Sequence, residues 1–428
     1  MFISLGYLSL KMIIPLLIPV LYSIRHYLLE EFDKNLKSSD NNVKCQSVFL
    51  NTFIVSISYS LNIFLLIIEY KQTKSSRKKV QEKEFDNQLL IEKLKIEKKK
   101  KKYKILFLIL LPLFNFFNLL FYDIINMFKP SDYNKNFYYT LSIPIFFIVT
   151  ALTSFLFLNN KIYLHQHVSM LISPMLSLIV LLILIILCPG KKNKSVSSIL
   201  FLIECLALRS LRYILAVFGK LFMDKMFVTQ IKLMAFFGIF GIIFSLIANY
   251  LSFFIKMNFV ENPDLNDYFE INDGNKRLKN IFDNWGDFGE LNWLYFVGII
   301  IFWFAENYFI WFCIYEFSPN HYTVYASIST IIVIFIDILK QNTFKKQFIN
   351  IISFVALFGI FICGLIFNEI IIIRAFKMDK YTKVEINKRQ KEDTKISMVK
   401  YIDNNNDNPE NSFDNESEKD RFSNNSKI

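Results

Sequence analysis

The sequence predicts an all-α membrane protein of ten transmembrane helices, arranged as two five-helix inverted repeats. Two observations carry the helix count and the halves. Ten apolar runs recur along the 428 residues, each about 20 residues long, the length a helix needs to cross ~30 Å of hydrocarbon. Charge is also concentrated outside those runs, above all in one basic block between the second and third. The chain is 53% hydrophobic and 17% aromatic, with 47 Phe, against about 45–50% apolar content in soluble domains. Only 11 Gly and many Lys, Ile and Asn suggest an AT-biased coding sequence, which can replace residues of a family motif.

The spans run over 5–24, 48–70, 104–125, 139–158, 168–188, 196–218, 231–255, 291–315, 320–339 and 348–374. Lys11 interrupts the first, which could also be read as a signal peptide. Tyr22, Ser23, Ile24 and Arg25 offer no small-residue cleavage site, so it is kept as a span. Ten spans put both termini on one side. Residues 71–104 hold fourteen Lys/Arg against five acids, and basic flanks mark the cytosolic side. The longest opposite loop, 256–290, is acidic: Glu261, Asp264, Asp267, Glu270, Asp273, Asp283, Asp287 and Glu290 face four bases. Two short outer loops, with Lys191, Lys192 and Lys194 and with Lys340, Lys345 and Lys346, run against the rule. The organisation is therefore a first half over 1–190, a second over 191–376, and a cytosolic tail over 377–428. From Asn404 the tail is dominated by Asn, Ser, Asp and Glu, too polar to fold. Its sequons at Asn415 and Asn424 are chance matches on a cytosolic segment.

The net charge of +12 does not imply nucleic acid, because topology accounts for the basic block. Within it, Leu89, Leu90, Ile91, Leu94 and Ile96 make residues 88–102 either a short amphipathic helix on an anionic leaflet or a solvated linker. Cys45, Cys188, Cys205, Cys313 and Cys363 are scattered without CxxC spacing, and only His165 and His167 of the four histidines lie close together. Neither a disulfide framework nor a metal centre is expected, and no cofactor.

Ionisable groups at membrane depth cost about 2.5–3.5 kcal/mol each on insertion scales, so they face a cavity or a partner. In span three Asn115, Asn118, Tyr122 and Asn126 form one helical stripe, read as a cavity lining or as interhelical hydrogen bonding. Span six carries Glu204, Arg209 and Arg212. The arginines share a face and suit a phosphate or carboxylate; the alternative is an ion-pair network with Glu306 or Asp337. Span eight holds Trp303, Phe304, Glu306, Asn307, Tyr308 and Trp311. Glu306 needs a proton or a partner, Arg209 or Arg212 being the candidates. His321 and Asp337 bracket span nine, about 24 Å apart at 1.5 Å per residue, which argues against a membrane-embedded enzyme.

Several strings add a resemblance. Leu111-Pro-Leu-Phe-Asn115 resembles the Pro-x-x-x-Asp opening of the third helix in the drug/metabolite transporter (EamA-like) superfamily, and more specifically the F-branch of solute carrier family 35. Phe157-Leu-Asn-Asn-Lys161 with His165-Gln-His167, Gly238-Ile-Phe-Gly241, Ser318-Pro-Asn-His321, and Gly359 to Gly364 with Phe367-Asn368-Glu369 are similar to that family's later turns and helices, in order over 48–375. Asn115 replaces the family's Asp, Ser58-Tyr59-Ser60 stands where span two has Gly-Glu, and span six keeps only Lys220 of its motif. The resemblance implies an inverted-repeat transporter in a Golgi, endoplasmic reticulum or lysosome-like membrane. Its substrate would be a small polar metabolite such as a nucleotide sugar. The expected substrate-binding residues are Asn115, Asn118, Tyr122, Glu204, Arg209, Arg212, Glu306 and Asn307. The expected partners are that metabolite and the lipid bilayer, with a homodimer left open. The alternative is a transport-inactive scaffold acting through 71–104.

Overall fold

A computed structural model describes residues 3–5, 16–38, 48–80, 87–127, 135–158, 162–187, 195–226, 228–252, 269–272, 275–278, 290–340, 344–373 and 382. The tail apart from Thr382, most of the acidic loop, the loop with Lys191, Lys192 and Lys194, and Cys45 and Cys188 lie outside them. The described chain is almost wholly helical: α1 (Leu17–Ser38), α2 (Val48–Ser60), α3 (Asn62–Val80), α4 (Asn87–Met127), α5 (Lys135–Leu158), α6 (Leu164–Leu187), α7 (Ser195–Met226), α8 (Gln230–Ser252), α9 (Glu290–Glu316), α10 (Pro319–Lys340) and α11 (Phe344–Phe367). Two short antiparallel ladders complete it. β1 (Ile3–Leu5) pairs with β4 (Ile371–Ile373), Ser4 opposite Ile372, so the start of the chain lies beside the end of the last helix. β2 (Phe269–Asn272) pairs with β3 (Asn275–Leu278) in the acidic loop.

Eight stretches are long and apolar enough to cross a membrane, α2 and α3 together counting as one. The other two long helices, α1 and α7, carry charge in their middles, Arg25, Glu30 and Glu31 on α1 and Glu204, Arg209 and Arg212 on α7. The burial pattern is that of a protein in lipid. Thr52, Ser58, Asn62, Ser173, Ser245, Asn307 and Ser353 are buried, while Leu156, Leu171, Leu294 and Val355 are exposed. A water-soluble fold would place these the other way round. This is a multi-pass membrane protein.

Three boundaries differ from the sequence reading. The first described helix, α1, runs on to Ser38 where the sequence reading ends its first span at 24, and residues 6–15 of that span lie outside the described residues. Pro19 sits in the first turn of α1, where a missing N–H is tolerated, and the helix runs past Arg25 because that side chain finds a buried partner. Span three and the expected short helix at 88–102 are one 41-residue helix, about 60 Å long. The connecting lysines and glutamates are good helix formers, and neither Gly nor Pro interrupts them before Pro112. Span two is broken in its middle at Leu61. Ser58, Ser60 and Asn62 each bond a carbonyl three residues back, which competes with the helix ladder and bends it.

Helix packing follows small residues. α2 packs against α8, where a Cβ on Gly238 would run into the Tyr59–Ser60 backbone and one on Gly241 would lie 2.5 Å from Ser56 Oγ. Small residues that let backbones approach are the usual device in lipid, where no hydrophobic force holds helices together. Further pairs are α1 with α9 and α10, α7 with α4 and α5, α4 with α8, α9 with α2, α5 with α6, α10 with α11, and α6 with α11. The largest apolar core among the described residues runs from Ile18 and Phe32 on α1 to Tyr322 and Tyr325 on α10.

Candidate functional site

Arg25 on α1, Arg209 and Arg212 on α7 and Glu306 on α9 form one group of charges inside the bundle. Glu306, buried on α9, accepts a hydrogen bond from Arg25 on α1, with Nε 2.6 Å from Oε2. Arg25 also lies 4.2 Å from the Trp303 ring centre and 5.0 Å from that of Tyr22. Its charge is thus held by one carboxylate and two aromatic faces, an arrangement worth more away from water. The partner that Glu306 requires is Arg25, not Arg209 or Arg212. Sequence reasoning missed Arg25 because it placed that residue just beyond the first span. Its signal was the spacing of Tyr22 and Arg25, one helical turn apart.

Arg209 reaches across from α7 to α4. Its Nη2 donates to the Tyr122 hydroxyl at 3.0 Å and its guanidinium lies 4.5 Å from the Tyr122 ring centre. Arg212, one turn further on, is half-buried and makes no hydrogen bond or ion pair among the described residues. Glu306 and Arg209 are the charges within electrostatic reach of it, beside the phenols of Tyr59 and Tyr322. Tyr59 in turn accepts a hydrogen bond from Trp311 Nε1 at 3.4 Å. Trp311 packs so closely on Gly219 of α7 that a Cβ there would lie 2.5 Å from the indole. Asn307, beside Glu306, is 1% exposed, and neither atom of its amide has a hydrogen-bond partner among the described residues. A buried amide left unpaired is destabilising by about 1–3 kcal/mol, so a polar ligand or water is its natural complement.

No family model and no curated protein matches this sequence. What the site can do therefore rests on its own chemistry.

The remaining expected residues divide. Tyr122 belongs to the group through Arg209. Asn118 donates to the Leu208 carbonyl at 2.6 Å, tying α4 to α7 in the interhelical role that the sequence left open. Asn115 is buried on the same helix, without a contact that joins it to the arginines. Glu204 is exposed on α7 and is not brought together with Arg212. A second residue escaped the sequence reading: Asp123, next to Tyr122, accepts from Asn51 Nδ2 at 2.7 Å and Thr52 Oγ1 at 2.8 Å, both on α2. Its signal was an acid inside an apolar run, obscured by its place near the end of that run. Outside the spans, Ser318 caps α10 with its Oγ 3.4 Å from the His321 N–H and 2.9 Å from His321 Nδ1, which explains the Ser318-Pro-Asn-His321 string as a helix start.

Proposed function

We propose that this protein is a solute carrier of the drug/metabolite transporter kind that moves a small anionic metabolite, a nucleotide conjugate being one such class, by alternating access. The observation that carries the reading is Arg212. A guanidinium inside the bundle without a counter-ion among the described residues is costly in lipid, and an anionic substrate would offset it. Arg209 one turn away supplies a second guanidinium, and the two can fork a phosphate or carboxylate between them. Asn307 adds an unpaired donor and acceptor.

The packing supports two related halves. If the spans are α1, α2–α3, α4, α5 and α6, then α7 to α11, a shift by five turns one set of contacts into another. The α1–α9 contact corresponds to α7–α4, α5–α7 to α10–α1, α4–α8 to α9–α2, and α5–α6 to α10–α11. Such correspondence is the mark of an internal repeat, and in inverted-repeat carriers the substrate binds near the middle of the membrane beside broken helices. The break at Leu61 falls in the middle of its span. In this reading both termini lie on the cytosolic side of an endomembrane.

One observation favours the scaffold instead. Asn118 and Arg25 are satisfied within the protein, as they would be in a bundle that only packs. A thermal-shift screen of purified protein against nucleotides, nucleotide sugars and small dicarboxylates separates the two. A ligand at a hundred times its Kd stabilises by about 2.7 kcal/mol. The expected result is stabilisation by one anion class, lost in Arg212→Ala. Stabilisation that survives Arg212→Ala, or none from any anion, would move the assignment to the scaffold.

A further inference from the structure

Glu306 is the carboxylate the sequence offered as a proton carrier, but it is tied to Arg25. Asp123 has no cation within ion-pair distance among the described residues. From α2 it meets Asn51 and Thr52, both neutral. From α7 the charge within its reach is Arg209, which is itself bonded to the neighbouring Tyr122. From α8 the adjoining cluster holds Ile242, Phe244 and Ala248. The titratable groups of α8 lie elsewhere, Lys232 in its first turn and Tyr250 on its exposed side.

We propose that Asp123 is a proton-binding site that couples proton movement to anion transport in the same direction. This rests on the transporter reading above. The Asn51 amide donates to Oδ1 and favours the ionised acid. The Thr52 hydroxyl at Oδ2 can donate to the carboxylate or accept from the carboxylic acid, so Oδ2 gains and loses a proton without losing its hydrogen-bond partner. Arg209 links this acid to the anion site. With that site empty, Asp123 feels the Arg209 charge. An anion drawn onto Arg209 and Arg212 cancels that field, and the carboxylate then takes up a proton at Oδ2. By linkage the effect is reciprocal: a protonated Asp123 leaves the arginines more positive and strengthens anion binding. Anion and proton bind together and leave together, which is symport.

Two measurements on the purified full-length protein test it. The first is an infrared pH titration of the carboxylic-acid carbonyl band. One carboxyl band is expected to titrate, to vanish in Asp123→Asn, and to move to higher pH in Asn51→Leu, which removes a donor to the ionised form. Should Asp123→Asn fail to fold, the Asn51→Leu shift decides. A titrating band that persists in Asp123→Asn, does not move in Asn51→Leu, or is absent altogether overturns the site. The second is the affinity for uridine diphosphate, as a doubly phosphorylated probe, measured across pH by thermal shift. Affinity is expected to rise as pH falls, by at most about tenfold per pH unit for one proton, and to lose that dependence in Asp123→Asn. An affinity that the Asp123→Asn change leaves equally pH-dependent, or one flat in the parent protein, overturns the coupling. No binding at any pH overturns the coupling to a nucleoside diphosphate, while the infrared result judges the proton site independently.

Discussion

Arg25 and Glu306 are far apart in sequence and 2.6 Å apart in space, and each is buried by the helix of the other. Removing either partner leaves an uncompensated charge in the interior, a change of about 3–5 kcal/mol, whereas replacing both with apolar residues is often neutral. Arg25→Met and Glu306→Leu are therefore each expected to destabilise the purified protein by about 3–5 kcal/mol. The double variant should recover most of that loss. Equal loss in the double variant, measured by thermal unfolding in detergent, would mean that the ion pair is incidental. That Glu306 needs a partner could be read from the chain, because an acid in an apolar run has few ways to persist. Which partner it takes could not be read. Three arginines were available at similar depth, and only the packing of α1 on α9 chooses among them. Asp123 went unread for a related reason, since its two donors come from α2 and no spacing along α4 announces them.

At the scale of elements, the Gly238-Ile-Phe-Gly241 string was legible as a motif, and the structure gives its cause in the close approach of α8 to α2. Gly238→Val is expected to push α8 away from the Tyr59–Ser60 backbone and lower stability by about 1–3 kcal/mol, the usual penalty of overpacking. The same change at Gly359, where the nearest neighbour is only the flexible end of Leu176, should be milder; equal losses at both would refute close backbone packing as the reason. The end of α11 carries another readable string with an unreadable cause. Ile370 and Glu369 donate back to the Leu365 and Ile366 carbonyls, and Glu369 adopts φ 57°, a left-handed position usually given to Gly. The carboxylate held there lies 3.3 Å from Nε2 of buried His165 on α6. It also helps burial push the Tyr163 phenol above its ordinary range. Glu369→Ala loses the carboxylate and keeps the strain, while Glu369→Gly loses both. The glycine variant should be the more stable of the two by about 1–2 kcal/mol, and a reversed order in thermal unfolding would show that the turn is unstrained. The ends of α1 and α4 were misjudged because hydropathy marks where a chain can sit in lipid, not where a helix stops. An ion pair carries α1 past Arg25, and good helix formers carry α4 back through the basic segment.

For the whole molecule, the number of crossings governs everything else, because the proposed two-half arrangement requires that both ends of the chain share a side. The β1–β4 ladder places Ile3–Leu5 against Ile371–Ile373, which an odd number of crossings could not satisfy. The sequence adds the direction, through the basic 71–104 segment and the acidic 256–290 loop, since flanking Lys and Arg stay on the cytosolic side. Cys205, Cys313 and Cys363 are buried, so once Cys45 and Cys188 are replaced by Ser, new cysteines can report sidedness in sealed vesicles. Lys83→Cys and Asn424→Cys are expected to react with a membrane-impermeant thiol reagent from the cytosolic side, and Asp267→Cys only from the opposite one. Labelling of positions 83 and 424 from opposite sides would mean an odd number of crossings between them. Helices α7 to α11 could not then repeat the first five spans, and the correspondence between the α1–α9 and α7–α4 contacts would be coincidence. Labelling of all three from one side would instead remove the acidic loop from the far side and make the number of crossings even both between 83 and 267 and between 267 and 424, against the five and three expected. The agreement of ladder, charge and contacts argues for the first pattern. In the proposed carrier, Arg212 and Asn307 would lie between halves that rock against each other, the motion by which a carrier exposes an anion first to one side of a membrane and then to the other.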